Sequence, residues 1–380
     1  MKIAVNTRLL LKDKMDGIGL FTFESFKKIV LAHPDTEFIF IFDRTPQPEF
    51  LFAKNITAKV ISPQARHPFL YMVWYQFSLK RLLKSLNPDV FVATDGMIPF
   101  NTKTKTLAVI HDLNFEHHPE HLPKLLRNYY CKYFPKFAQQ ATRIATVSEF
   151  SKSDICRTYK IDESKIDVVY NGPNENFIPI STAEQKLIKE QYTAGYDYFL
   201  FVGTLHPRKN LINLFKAFDD FKIKTKSPKK LLIVGRKMWW TKEIEETLNN
   251  LNHKEDIIFA GRVTENELYK ITASAYALTY VPIFESFGIP LVEAMSCGTP
   301  VITSNITSMP EVVEDAGILV DPFSIDDISN AMVRMANESC LRHNLSEKSI
   351  VQAKKLSWDK TADLLWKSIL KTIDTSTSSE

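Results

Sequence analysis

Tyr198-Phe199-Leu200-Phe201-Val202-Gly203 is an unbroken apolar run closed by a glycine, and the same pattern returns in Leu231-Leu232-Ile233-Val234-Gly235 and Ile257-Ile258-Phe259-Ala260-Gly261. Each run is short, continuous and bounded by polar residues. A strand reads this way when both of its faces are buried, as they are in a parallel sheet covered by helices. The intervals between the runs have helix length and carry start signals: Thr264-x-x-Glu267 and Ser308-x-x-Glu311 match a capping box, and Ser324-Ile325-Asp326-Asp327 resembles one. Strand, glycine-containing loop and helix recur from about residue 198 to 335, which predicts a doubly wound α/β domain.

Working outward, the first half alternates in the same way. Strands are expected at 2–5, 37–42, 58–61, 89–93, 106–110, 143–147 and 166–169, and helices near 19–32, 70–86, 122–140 and 149–159. The chain therefore reads as two Rossmann-like, doubly wound parallel-sheet domains whose carboxyl strand ends face a central cleft, where open α/β sheets bind ligands. The expected division is 1–180, 181–355, and a C-terminal helix within 356–380 that crosses back to the first domain. Pro173–Ser181 is the expected linker, and Thr372–Glu380 a frayed polar tail.

Composition narrows the function. The chain has 380 residues, 44% hydrophobic and 24% charged, which excludes intrinsic disorder. A formal net charge of +4 is too mild to make nucleic acid the main partner. Cys131, Cys156, Cys297 and Cys340 are far apart, with no Cys-x-x-Cys pair and no close Cys/His cluster, so neither a disulfide framework nor a zinc site is expected. No apolar stretch has the length of a membrane span, and Arg8 interrupts any signal-peptide core; a cytoplasmic location is the expectation.

The densest constellation runs from Val281 to Ile302. Pro290 suits a first helical position and Gly298 the residue past an end, so 290–297 should form a two-turn helix. Gly288 lets a ligand approach the amides at its start, Gly288, Ile289, Pro290 and Leu291, where the helix dipole favours an anion. Glu285 precedes that end and Glu293 follows one turn inside. A diphosphate on the amides, with one carboxylate reaching a sugar and the other ribose hydroxyls, describes a nucleotide-sugar. Taken alone, the pair also reads as a solvated loop residue and a first-turn dipole partner.

This stretch resembles the Glu-x7-Glu signature of group 1 glycosyltransferases (glycosyltransferase family 4), two-domain enzymes of the GT-B fold. The resemblance continues through Met309–Val313 and Ala316–Pro322, and extends over nearly the whole chain through Ala145–Ser151 and Val168–Gly172. It implies that Glu285 contacts the transferred sugar, together with Phe287 and Gly288, and that Glu293 binds ribose, with Gly235 and Val263 beside the ribose and base. The loop Gly203-Thr204-Leu205-His206-Pro207-Arg208-Lys209-Asn210 resembles the family's phosphate-binding Arg/Lys loop. Two adjacent cations there suit neutralising a leaving diphosphate, as a transferase without a metal requires, although taken alone they also read as a solvated turn before a helix; no Asp-x-Asp metal motif occurs in the chain. Thr204 stands where the family often has an Arg, and Ser286 where it usually has Gly. Asp16-Gly17-Ile18-Gly19 resembles the family's Gly-rich loop, which would bring Gly19 near the donor phosphate. It does not complete GxGxxG, because Thr22 occupies the third glycine position, and this disfavours a nicotinamide-dependent dehydrogenase. His111-Asp112-Leu113 resembles the mannosyltransferase-like members and implies a catalytic, donor-contacting His111.

The implied activity is a retaining, metal-independent transfer of a hexose to a glycan or lipid-linked acceptor, with mannose from GDP-mannose as first choice and no cofactor. A UDP-sugar donor, a nucleotide-sugar epimerase and a non-catalytic nucleotide-sugar-binding protein remain as alternatives. Residues 50–88 contain six cations and no Asp or Glu, interleaved with Phe69, Tyr71, Trp74, Tyr75 and Phe77. One reading makes this segment a surface that meets anionic membrane; the other packs the aromatics on the sheet and leaves the cations in water.

Overall fold

A computed structural model describes residues 1–12, 15 and 17–375. The chain divides into two compact units, Met1–Asn171 with Trp358–Glu380, and Gly172–Ser357.

The first unit is built on a parallel sheet of β1 (Lys2–Asn6), β2 (Glu37–Phe42), β3 (Ile56–Val60), β4 (Val90–Ala93), β5 (Thr106–Val109), β6 (Arg143–Thr146) and β7 (Ile166–Val168), in the order β3-β2-β1-β4-β5-β6-β7. The second carries β8 (Tyr198–Val202), β9 (Lys230–Val234), β10 (Ile257–Gly261), β11 (Ala277–Tyr280), β12 (Val301–Ser304) and β13 (Gly317–Val320), in the order β10-β9-β8-β11-β12-β13. The apolar runs that opened the sequence reading are β8, β9 and β10. Tyr198–Phe201 and Leu231–Val234 are buried, as a central parallel strand dictates. In each sheet the order reverses beside the first strand, between β1 and β4 and between β8 and β11, which opens a crevice at the carboxyl ends of those strands.

Several local expectations are corrected. The boundary between units falls at Asn171/Gly172 rather than at 180, because Phe177 is buried with Ala273 and Cys297 of the second unit. The C-terminal helix, Trp358–Asp374, needs no correction and lies with the first unit, to which the sequence reading assigned it: Lys28 pairs with Asp359 at 3.0 Å, and Ser368 Oγ and Lys371 Nζ donate to Asp167 at 2.8 and 2.7 Å. Thr372 is buried in that helix rather than frayed, while 376–380 lie outside the described residues, as does Asp16. Gly17 starts the first helix, Gly17–Ala32, so Gly19 lies in its first turn and not in a loop; a Cβ there would stand 2.8 Å from the Leu9 carbonyl oxygen. Thr264–Glu267 forms a complete capping box, but Ser308 makes no cap bond because its hydroxyl is committed to the Glu285 carbonyl at 3.0 Å. No helix among the described residues is long and apolar enough to cross a membrane.

The 50–88 segment divides between its two readings. Pro68–Leu86 is a continuous helix with a π-helical turn over Trp74–Leu79. Trp74 and Tyr75 are fully buried, whereas Phe69 and Phe77 are 70% and 69% exposed, in company with exposed Arg66, Arg81 and Lys84.

Candidate functional site

The second unit's crevice is framed by the loops after β8 and β11. After β8 the chain makes a 3₁₀ turn, Pro207–Lys209, started by His206, whose Nδ1 accepts the Arg208 N–H at 3.2 Å, and closed by Asn210 in the left-handed region at φ 64°. The Asn210 amide donates to Val281 O and Pro322 O at 3.0 and 2.7 Å, and Ile283 N–H donates to Arg208 O at 2.9 Å. These bonds stitch the two loops together. After β11 the chain reaches Gly288 at φ 85°, which begins the helix Ile289–Ser296. The predicted two-turn helix is present, offset by one residue.

One carboxylate oxygen gathers the site. Glu285 Oε2 accepts from Arg208 Nη1 at 2.9 Å, from the Tyr280 hydroxyl at 2.6 Å and from Lys209 Nζ, which also contacts Tyr280 Oη. Burial alone would raise the Glu285 carboxyl, but the adjacent Arg208 and Lys209 charges outweigh it and hold the group well below its ordinary range. Tyr280 is pushed well above the usual phenol range by burial and by the neighbouring Glu285 charge. Two cations against one carboxylate leave the cluster with an excess positive charge, the condition an anion-binding site needs. Lys209 is 8% exposed, whereas the Arg208 side chain, 24% exposed, is the cation that reaches solvent. The Ser286 backbone does not take a positive φ, so no glycine is required there, and Thr204 is exposed.

The amide cradle is narrower than expected. Pro290 has no N–H, and the Leu291 N–H is taken by the Gly288 carbonyl at 2.9 Å, which leaves the Gly288 and Ile289 amides as donors. The Phe287 side chain is buried at 2% exposure, so its ring does not line the surface. Gly235 follows β9 and Val263 follows β10, at the same carboxyl edge as the cluster. Glu293 is half-buried in the helix and makes no side-chain hydrogen bond or ion pair among the described residues. Burial, and then the Glu265 charge, push it up to about 8 from an ordinary 4.5. A carboxyl raised on folding binds more protons folded than unfolded between those values, so its ionisation lowers stability as pH rises from 4.5 to about 8. Glu293→Gln is therefore expected to melt above wild type at about pH 9 and level with it at about pH 4, as thermal unfolding at both pH values will show.

His111 and Gly19 belong to the first unit. His111 follows β5; its Nε2–H donates to Thr94 O at 2.9 Å and its ring packs edge-on to Phe21 with centroids 5.0 Å apart. At the β1/β4 reversal lies a buried network that the sequence reading did not single out: Arg8 Nε donates to Asp95 Oδ2 at 2.8 Å and to Tyr75 Oη at 3.0 Å. Tyr280 was missed in the same way. Both tyrosines occur in apolar surroundings that read as core, and only the partners reveal their hydroxyls.

All four cysteines are free. Among the described residues one group of metal-ligand side chains converges, His118, Glu120 and His121, whose ligand atoms lie within 4.8 Å of one another in the first unit. No cysteine joins this group; the expectation of no close Cys/His cluster did not extend to His118 and His121, whose spacing a 3₁₀ turn over Pro119–His121 closes.

Comparison with known proteins agrees with this architecture. Residues 184–352 match the family described as glycosyl transferases group 1, and residues 34–177 match glycosyltransferase family 4. O-antigen chain mannosyltransferase B of Escherichia coli is 28% identical over 371 residues, spanning 94% of this chain and 97% of that protein. O-antigen chain mannosyltransferase RfbU of Salmonella typhimurium is 32% identical over 271 residues, 70% and 71% of the two chains. Sucrose-phosphate synthase from Thermosynechococcus elongatus superposes with a TM-score of 0.78 at 16% identity, covering 99% of this chain and 100% of that one. Anabaena HepE, solved with UDP and glucose, gives 0.75 at 16% identity over 98% and 100%.

Proposed function

This chain belongs to the group 1 glycosyltransferases and is a hexosyltransferase, and on that premise we propose that it moves mannose from GDP-mannose to a lipid-linked O-antigen glycan, without a metal and with retention at the anomeric carbon. The observation that carries the reading is the convergence of Arg208, Lys209 and Tyr280 on Glu285 beside the start of the Ile289–Ser296 helix. The names of the two O-antigen relatives support the sugar and the acceptor class.

The residues have work to do at each stage. The donor diphosphate meets the Gly288 and Ile289 amides and the exposed guanidinium of Arg208, and draws Lys209 partly away from Glu285. Glu285, released from part of its ion pairing, accepts from the sugar hydroxyls and fixes the ring. Glu293 takes the ribose hydroxyls. The bond from the anomeric carbon to the diphosphate oxygen breaks as the acceptor oxygen attacks from the same face, and the acceptor proton passes to the departing diphosphate. Positive charge already in place at Arg208 and Lys209 stabilises that leaving group.

Lys209→Ala tests the assignment. Calorimetry with GDP should show binding weakened by about 2–4 kcal/mol, the range for losing one partner of a desolvated charge contact. Since Lys209 also neutralises Glu285, the variant is expected to melt lower than wild type, and binding is measured below that transition. A GDP titration indistinguishable from wild type overturns the phosphate assignment. UDP binding more tightly than GDP would instead redirect the donor to a UDP-sugar.

The lipid-linked acceptor finds support in the exposed stripe of Phe69, Phe77, Arg81 and Lys84 on the Pro68–Leu86 helix, an amphipathic pattern suited to anionic headgroups. Replacing Lys80, Arg81 and Lys84 together by Ala should reduce sedimentation with phosphatidylglycerol vesicles, each cation being worth about 1 kcal/mol near such a surface. Unchanged sedimentation removes the membrane from the proposal and leaves the transfer chemistry intact.

A further inference from the structure

The second unit has another polar cavity at the opposite strand ends from the Glu285 cluster. It has a volume of about 500 Å³, the size of a small-metabolite pocket. Asp197, just before β8, and Tyr276, just before β11, form part of its wall; Gln185 and Lys189 come from the helix Thr182–Thr193, and Arg342 from the helix Ser339–Ala353. Its charges do not balance. Lys189 pairs with Asp197 at 2.7 Å, and Lys229 approaches the other oxygen of the same carboxylate at 3.8 Å. Asp197 is the one carboxylate in the cavity wall among the described residues, so the wall carries two cations, Lys189 and Arg342, against one anion, and Lys229, outside the wall, adds a third cation beside the same carboxylate.

Arg342 is the informative member. Its guanidinium carbon lies 4.8 Å from the centroid of the Tyr276 ring, and the guanidinium makes no hydrogen bond or ion pair with a described residue. The Tyr276 hydroxyl is anchored on Met335 O at 3.1 Å, so the ring is a fixed platform. A guanidinium over an aromatic ring is held by the ring's π face without using its N–H donors, which can then donate to two oxygens of a phosphate side by side. Lys229, which also lies over that ring at 4.3 Å, is lowered from its ordinary value chiefly by burial, with the Asp197 carboxylate opposing and the like charges of Arg342 and Lys189 adding to the shift.

We propose that this cavity binds a small phosphate-bearing anion, held by Arg342 and Lys189, at a site separate from the donor cluster. A bound dianion would cancel the charge excess and tie the helices Thr182–Thr193 and Ser339–Ala353 to the starts of β8 and β11.

Inorganic pyrophosphate is the probe, because it serves both phosphate sites and the variants tell them apart. Calorimetry on the full chain should resolve two sites in wild type. Lys209→Ala weakens one, and Arg342→Gln weakens the other by about tenfold or more. Lys189→Gln, a partly exposed position, repeats the second effect should Arg342→Gln fail to fold. A single wild-type site that Lys209→Ala removes overturns the proposal, as do Arg342→Gln and Lys189→Gln titrations that match wild type.

Discussion

Glu285→Ala removes sugar transfer, by on the order of a thousandfold, while making the site more attractive to a free nucleoside diphosphate. Both effects follow from one oxygen. Glu285 Oε2 is the common acceptor for Arg208, Lys209 and Tyr280, so its loss leaves two neighbouring cations without their counter-charge and a buried hydroxyl without its acceptor. The local charge rises by one unit, which favours an anion. Breaking such a buried pairing costs about 3–5 kcal/mol, and the melting temperature should fall by about 10 °C. Glu285→Gln keeps the shape and part of the hydrogen bonding and should fold better while transferring as poorly. Because the Glu285 carboxyl is held low on folding, its contribution is present above its ordinary 4.5 and is lost as pH falls below that value. Acid unfolding of Glu285→Gln should therefore be less steep than that of wild type. Transfer assays beside GDP calorimetry separate the two roles: equal losses in both would place Glu285 in phosphate binding and refute its assignment to the sugar.

Gly235→Ala is expected to damage the second unit as a whole. A Cβ at Gly235 would stand 1.8 Å from the Gly203 carbonyl oxygen and 2.8 Å from its carbon, and that backbone has little room to retreat. Gly203 N–H is bonded to Val234 O at 2.9 Å, and Gly235 N–H to Gly261 O at 2.8 Å, so relief must spread the ends of β8 and β9. Overpacking against fixed backbone costs about 3 kcal/mol or more, lowering the melting temperature by about 5–10 °C. The displaced β8 end leads straight into Arg208 and Lys209, so GDP affinity should fall with stability. Gly261→Ala is the control. It shares a left-handed backbone, φ 70°, but its Cβ would meet nothing within 4 Å, so only the conformational penalty of about 1–2 kcal/mol applies. Equal melting temperatures for the two variants would contradict the close-approach argument.

The same contrast runs through the rest of the site. The Glu285–Glu293 spacing and the Arg208-Lys209 pair were legible because their residue types are costly to bury and have few structural uses. The partners that organise them were not. Tyr280 reads as the last residue of an apolar strand, and its hydroxyl acquires meaning when Lys209 and Glu285, distant in sequence, arrive beside it. Ser308 carries a capping signal, yet its hydroxyl goes to the Glu285 carbonyl, since a tertiary acceptor at 3.0 Å displaced the local one. Arg8 and Asp95 are unremarkable where they occur in the chain and form a buried pair through the β1/β4 reversal.

By itself the sequence determined the two parallel sheets and the strands and helices that build them, and pointed to the carboxyl strand ends as the candidate site, because apolar periodicity and capping act over a few neighbouring residues. Tertiary structure alone decided that Lys209 is buried on Glu285 while Arg208 reaches solvent, that Pro290 and Leu291 drop out of the amide cradle, and that Arg342 is left with open donors. Charge neutralisation and hydrogen-bond satisfaction depend on which side chains the fold brings together.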